Sequence, residues 1–414
     1  MIDMTKFDRV AKRIDAYEKD MIALQIALTA IPAIAPENGG DGETEKAQLL
    51  LDQLHRRGLR DTEIINAPDP RVSSGKRPNI IVRWPEKQDA PGVWIISHLD
   101  IVPPGEIGLW DADPYQAYVK DGRIYGRGVV DNQQDLVASL FAFLACIDEG
   151  VTPRRTPGLI FVADEETASS YGLAYLLSHP RNPCRKTDII CVPDSGNEDG
   201  TLIEIAEKSI LWVRFRILGK QCHGSKPYLG KNAFLAASHL IVSLHRRLHE
   251  MFPAADPLFD PPASTFAPTR KDANVPNVNT IPGEDSFYMD CRVLPSYDLA
   301  AVKAAMREEA GKIEKEFGVT IEIIPVQEIQ APAATDPEAP VVTALAAAIA
   351  DVYGVRATPQ GIGAGTVAAY LRREGYPAAV WCRTTPAAHQ PNEYCLIANM
   401  LGNAKVFAHL FLQE

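Results

Sequence analysis

A chain of 414 residues is longer than a single hydrophobic core usually serves, so two or three cooperating units are expected. With 42 basic against 53 acidic residues, a net charge of -11 and no Lys/Arg block interleaved with aromatics, the sequence argues against a phosphate-tracking surface and so against nucleic acid as a partner. The seven cysteines, Cys146, Cys184, Cys191, Cys222, Cys291, Cys382 and Cys395, form no C-x-x-C pair; this speaks against a thiolate zinc finger or a disulfide framework and fits a reducing, cytoplasmic compartment.

The first helical pattern covers residues 6–30. The apolar stretch 21–35 follows mixed acids and bases and is interrupted by Pro32, so it reads as an amphipathic helix and its exit, not as a signal peptide or a membrane span. A second helix is expected over 43–57, stopped by Gly58, and another over 133–149, stopped by Gly150. Between helical patterns recur short runs of Val, Ile and Leu: 79–82, 93–97, 159–162 and 189–192. Such runs are apolar on both faces, as in a largely parallel sheet with helices on either side. From about 209 to 329 the texture changes. Residues 211–217, 286–293 and 319–326 alternate apolar and polar, which predicts half-exposed strands of an antiparallel sheet with helices near 232–251 and 298–317. The Pro-rich stretch 253–268 is expected to be an exposed loop. Helices over about 337–353 and 392–412 close the chain. The predicted fold is α/β: a larger domain of residues 1–208 and 330–414 with a largely parallel central sheet, and an inserted α+β unit, 209–329, with an antiparallel sheet.

His98 and Asp100 close the run 93–97, and strand carboxyl ends are where open parallel sheets place ligand sites. Residues two apart face the same side of a strand. His98 can therefore bind a metal while Asp100 approaches its other ring nitrogen; a structural histidine beside a surface aspartate is the alternative. Asp131, in Tyr125-Gly126-Arg127-Gly128-Val129-Val130-Asp131-Asn132, lies at the start of a helix, where an N-cap is the plain reading. Asp164-Glu165-Glu166 follows a core strand directly, and three consecutive carboxylates there repel one another unless cations or protons neutralise them. Adjacent residues point to opposite sides, so one can bind metal while its neighbour faces a water. Asp194 ends the next strand and His389 precedes the last helix; each alone is an ordinary turn aspartate or loop histidine. As a set, two imidazoles and three carboxylates, one able to bridge, are what two zinc-like ions need with coordination left open, which points to a hydrolase. Gly361-Ile362-Gly363-Ala364-Gly365-Thr366 has no strongly apolar strand before it and no Lys after it, against a phosphate loop; its N–H groups can instead receive a substrate carboxylate.

The order H-x-D, G-R-G-x-x-D, D-E-E, a strand-ending aspartate, an inserted unit with an exposed histidine, and H-x-P-N-E resembles, over nearly the whole chain, the dinuclear zinc aminoacylase/carboxypeptidase family. That family includes succinyl-diaminopimelate desuccinylase, acetylornithine deacetylase and glutamate carboxypeptidase. The resemblance implies a zinc-peptidase-like catalytic domain and an inserted lid and dimerisation domain. It implies two Zn²⁺ per subunit, replaceable by Co²⁺ or Mn²⁺: one held by His98 and Asp194, the other by Glu166 and His389, with Asp131 bridging. Glu165 becomes the general base and Asp100 the partner of His98, and a cis peptide is expected between Asp131 and Asn132. The segment Lys220 to Pro227 is similar to the family's H-G-S/A-x-P element, which implies that His223 reaches the other subunit's site in a homodimer and helps hold the oxyanion. Residues 277–283 and 290–295 are similar to its substrate-carboxylate elements, so Asn279 and Arg292, with Gly365 and Thr366, are candidates for gripping an anionic end; for Arg292 a surface ion pair is the alternative. Many relatives have aspartate after the Gly-Thr pair where this chain has Val367, which leaves the substrate class open. The expected activity is hydrolysis of an amide bond in an N-acyl amino acid or small peptide with a free carboxylate, by a cytoplasmic homodimer that needs neither nucleic acid nor membrane. A dipeptidase of the same family, or a metal- or ligand-binding homologue without turnover, are the alternatives. Retention of Glu165 speaks against the latter, since a binding protein needs no general base.

Overall fold

The computed structural model describes residues 2–85 and 90–413. Its larger sheet has eight strands in the order Thr62–Pro68, Lys76–Arg83, Thr156–Val162, Gly92–His98, Ile189–Asn197, Ala378–Arg383, Leu202–Glu207 and Thr358–Ile362. Thr156–Val162, Gly92–His98, Ile189–Asn197 and Ala378–Arg383 are parallel neighbours at its centre. Their Val, Ile and Leu runs are buried because helices cover both faces. On one face lie Gln134–Asp148 and Ile397–Leu412, with Met4–Ala16 packed outside them. On the other, Leu173, Leu176, Ala368 and Leu371 pack onto Ile96, Ile160, Ile190 and Val380.

The run 79–82 is a buried strand but not a parallel one: Ile80 pairs antiparallel with Ile64 on one side and Phe161 on the other. Burial on both faces reflects its place inside the sheet, not its direction. The helical pattern at the start breaks at Tyr17 into Met4–Ala16 and Glu18–Thr29. The last helix starts at Ile397, not near 392, because Tyr394–Leu396 is taken up as a strand against Arg123–Tyr125.

The chain divides into two compact units. One comprises Met1–Ile205, Thr335–Pro359 and Thr366–Glu414, the other Ala206–Ala334 and Gln360–Gly365. The second unit is thus a few residues wider than 209–329 and includes a return segment that sequence periodicity did not assign to it. Within it, Thr265–Lys271, Glu284–Val293, Ser209–Leu218 and Thr320–Ile329 form an antiparallel sheet in that order. Leu211, Val213, Phe215 and Ile217 face its core with helices Ala233–Met251 and Leu299–Phe317, while Trp212 is turned outward and exposed. The Pro-rich stretch is only partly loop. Phe259 is buried against Ala206 and Leu294, and Phe266 enters the main core from the strand Thr265–Lys271. Among the described residues no helix is long and apolar enough to cross a membrane.

Candidate metal centre

The four parallel strands bring their carboxyl ends to one place, as open sheets of this kind do. His98 is the last residue of Gly92–His98, Glu165 and Glu166 lie in the single turn after Thr156–Val162, Asp194 is near the end of Ile189–Asn197, and His389 is in the loop after Ala378–Arg383. Asp131 enters from the turn before helix Gln134–Asp148.

Asp131 stands between the two histidines, with Oδ1 3.1 Å from His98 Nε2 and Oδ2 3.1 Å from His389 Nε2. Asp194 Oδ1 lies 3.3 Å from His98 Nε2, and Glu166 Oε2 lies 3.2 Å from His389 Nε2. Two groups, His98/Asp131/Asp194 and Asp131/Glu166/His389, each hold their ligand atoms within 4.8 Å of one another and share Asp131; His98/Glu165/Glu166 meets the same limit. Imidazole nitrogens and carboxylate oxygens at this spacing suit zinc-like divalent ions.

The protonation of the cluster fits that reading. Burial, reinforced by the charge of Asp194, holds the Glu165 carboxyl well above the usual range. Burial and the charge of Asp131 push Glu166 up to about 7. Hydrogen bonds to Asp131 and Glu166 raise His389 to about 10. For His98 burial opposes protonation, but hydrogen bonds to Asp100, Asp131 and Asp194 outweigh it and raise the ring well above its ordinary value. Burial would likewise raise Asp131, yet its bonds to His389 and His98 hold it below the usual carboxylate range.

Several supporting contacts were not legible from the motifs. His98 Nδ1 lies 3.0 Å from the backbone carbonyl of Asp100, with the carboxylate farther off at 3.5 Å. The reason is that both Asp100 oxygens are engaged: Oδ1 accepts the Glu165 N–H and Oδ2 the Glu166 N–H, each at 3.0 Å. Asp131 is no helix cap, since helix Gln134–Asp148 has no side-chain cap and the Asp131 carboxylate faces the histidines. The peptide bond between Asp131 and Asn132 is cis, as the resemblance implies. Asn132 ties the site together: its Oδ1 accepts the His98 N–H at 3.2 Å, and its Nδ2 donates to Pro193 O at 2.7 Å and to Asp194 Oδ1 at 3.3 Å. Glu393 accepts the N–H groups of Val130 at 3.0 Å and Asp131 at 3.3 Å while pairing with Arg127 at 2.5 Å. Glu43 pairs with Arg77 and accepts the Asp164 N–H at 3.3 Å. Asn132 and Glu393 lie within the quoted motifs and were within reach of sequence reading; Glu43 reads only as an ordinary acid at a helix start.

A cavity of about 380 Å³ in the first unit has Asp131 and Asp194 in its wall, with Ser195, Asn197, Thr384 and Thr385; no Lys or Arg lines it among the described residues.

In the second unit, the exposed His223 sits on the short strand Cys222–His223, paired with Thr280–Ile281, and its Nδ1 is 2.8 Å from Ser225 Oγ. Asn279 is next to it, its carbonyl accepting the Gly224 N–H at 2.7 Å and its side chain bonded to Asn277 at 2.5 Å. Arg292 holds Asp290 through Nε at 2.7 Å and Nη2 at 3.0 Å, donates from Nη1 to Gly363 O at 2.9 Å, and lies over the Trp212 ring. Gly365 belongs to the same unit; Thr366 begins the return to the first, and its Oγ1 accepts the Ala368 N–H at 3.3 Å.

Residues 94–413 match the family described as Peptidase family M20/M25/M40. An uncharacterized metallohydrolase of Methanococcus maripaludis is 38% identical over 94% of this chain and 97% of its own length. A succinyl-diaminopimelate desuccinylase of Cereibacter sphaeroides is 26% identical over 92% of this chain and 95% of its own. Among solved structures, aminopeptidase PepT from Bacillus cereus is similar in fold, with a TM-score of 0.74 at 18% identity over 95% of this chain and 98% of that one.

Proposed function

Since the chain belongs to peptidase family M20/M25/M40 and is a metallohydrolase, we propose that it cleaves an amide bond in an N-acyl amino acid or small peptide bearing a free carboxylate, with two zinc ions per subunit. His98 and Asp194 would hold one ion, Glu166 and His389 the other, and Asp131 both. The observation that carries this is the Asp131 carboxylate, with one oxygen 3.1 Å from each histidine. When bound, such a pair supplies Lewis acidity toward the scissile carbonyl and toward a water.

The chain's own residues do the rest. Glu165 is absent from both groups that share Asp131. It takes the proton of the attacking water and returns it to the leaving amine; its carboxyl, raised by burial, would be lowered toward the working range when cations are bound. Asp100 fixes the turn on which Glu165 and Glu166 stand. Arg292 and the Gly365–Thr366 backbone receive the substrate carboxylate, with Asn279 brought by a second copy beside its His223. His223 of a second copy helps hold the oxyanion. Supporting a homodimer through the second unit, Tyr228, Leu229, Phe234, Leu235 and Val242 follow His223 closely and are 45% to 79% exposed, and exposed aromatic and apolar side chains are what interface cores bury. Seven free thiols, six of them buried, support a cytoplasmic location.

Dipeptide cleavage is the second reading. The cavity beside Asp131 and Asp194 offers hydroxyls and carboxylates without Lys or Arg, which suits a free amine better than an anionic acyl group. A turnover screen with added Zn²⁺ or Co²⁺ over N-acetyl and N-succinyl amino acids, acyl-glutamates and dipeptides tests both readings. At least one class is turned over and chelator abolishes it. Turnover indifferent to chelator, or none in any class at full metal loading, contradicts the proposal.

A further inference from the structure

Behind the centre lies a buried cation to which none of these roles gives a use. Lys46 stands in the first turn of helix Thr44–Arg56, is wholly buried, and its ammonium makes no hydrogen bond to any described residue. An isolated charge taken out of water is costly unless opposite charges hold it. The carboxylates whose charge acts on it are Asp100, Glu43 and Glu393, all buried themselves. Burial lowers the ammonium to about 8 against their pull, so it stays charged at neutral pH.

These three carboxylates share one task. Asp100 accepts the N–H groups of Glu165 and Glu166, both at 3.0 Å; Glu43 accepts that of Asp164 at 3.3 Å; Glu393 accepts those of Val130 at 3.0 Å and Asp131 at 3.3 Å. Each therefore hangs a turn that carries the general base or a candidate ligand. Arg77 is tied by an ion pair to Glu43, and Arg127 to Glu393. Lys46 is tied to neither and acts on all three.

We propose that Lys46 is a positioning residue of the metal centre: one ammonium balances Asp100, Glu43 and Glu393, and so keeps the turn of Asp164–Glu166 and the turn of Val130–Asp131 set for the ions. Without it Asp100 and Glu43 repel each other more strongly across a dry interior, and Glu393 loses one of its balancing cations. Each one that turns away releases the N–H groups it holds, and Asp131, Glu165 and Glu166 lose their preset places.

This inference rests on the metal-centre reading, and the test separates the two. Metal-stripped full-length protein is titrated with Co²⁺ against a chelating indicator, with the Co²⁺ absorption spectrum recorded and the melting of the metal-free protein measured alongside. Lys46→Met, a chain of similar length without charge, should melt close to wild type when metal-free, yet bind at least one Co²⁺ at least about tenfold more weakly with an altered spectrum. Because Lys46 acts through Asp100, the loss in Lys46→Met/Asp100→Asn should be clearly smaller than the product of the two single losses. Wild-type affinity and spectrum in Lys46→Met, or losses that multiply in the double variant, overturn the inference. Where Lys46→Met does not fold, Lys46→Gln takes its place with the same outcomes; if neither folds, Lys46 serves the fold at large and the positioning role is overturned. Wild-type protein that binds fewer than two Co²⁺ removes the metal-centre reading itself.

Discussion

Replacing Glu393 by Gln keeps the shape of the side chain and removes its charge. The carboxylate is fully buried, and so is the Arg127 guanidinium 2.5 Å from it. Among the described residues Arg127 Nε has no hydrogen-bond partner, and the guanidinium also lies over the Trp110 ring, whose centroid is 5.2 Å away. Leaving a buried charge unpaired costs about 3–5 kcal/mol. Weakening the hydrogen bonds from Val130 and Asp131 from a charged to a neutral acceptor adds about 1 kcal/mol. Burial already holds the Glu393 carboxyl above its ordinary range despite Arg127, so ionising it has been partly offset and the expected loss lies at the low end, about 3 kcal/mol. That is a large share of the roughly 5–15 kcal/mol that stabilises a folded protein. Urea unfolding of metal-free wild type, Glu393→Gln and Arg127→Met/Glu393→Gln measures it. The double variant, which removes the stranded cation, should recover at least half of the loss. A loss below about 1 kcal/mol in Glu393→Gln, or a double variant less stable than the single, refutes the reasoning.

Metal uptake should release more than one proton per chain at neutral pH, because His98 and His389 are held protonated there and Glu166 partly so; calorimetry in buffers of different ionisation heat counts them. The sign follows: affinity rises with pH as these groups give up their protons, and an affinity flat from about pH 6 to 8 contradicts it. Arg292→Ala should penalise substrates with a free carboxylate by roughly 2–4 kcal/mol more than their amide counterparts in kcat/KM, whereas equal losses reduce Arg292 to its contacts with Asp290 and Gly363. Equal amounts of Glu165→Gln and His223→Ala chains, each inactive alone, should regain about one quarter of wild-type activity after co-refolding, since about half the dimers are mixed and one of their two sites is intact. No recovery despite proven subunit exchange places His223 outside catalysis in trans.

His98, Glu166 and Asp194 were legible because each stands where an apolar strand ends, Asp131 and His389 only through the motifs around them, and the alternation in residues 211–217 and 286–293 announced the antiparallel sheet. The pair Arg292–Asp290 was implicit too, as residues two apart face the same way on a strand. What stayed hidden depends on distant backbone groups. Glu43 reaches the N–H of Asp164 across 121 positions and Glu393 that of Val130 across 263, and no periodicity marks a carboxylate that accepts a remote N–H. Strand direction at Lys76–Arg83 was equally silent, since a doubly buried strand is apolar whichever way it runs. Phe259 was lost among prolines because composition weighs the stretch, whereas one aromatic ring decides which part of it packs.

The central claim is a two-ion centre bridged by Asp131 and served by a base that binds neither ion. The metal-to-chain ratio, measured by elemental analysis on wild type, Glu165→Gln and Asp131→Ala after identical loading and dialysis, tests it most directly. The account predicts about two ions in wild type and in Glu165→Gln, with turnover lost by several orders of magnitude in the latter, and loss of both ions in Asp131→Ala. A wild-type ratio of about one, or an Asp131→Ala protein that keeps both ions, contradicts it.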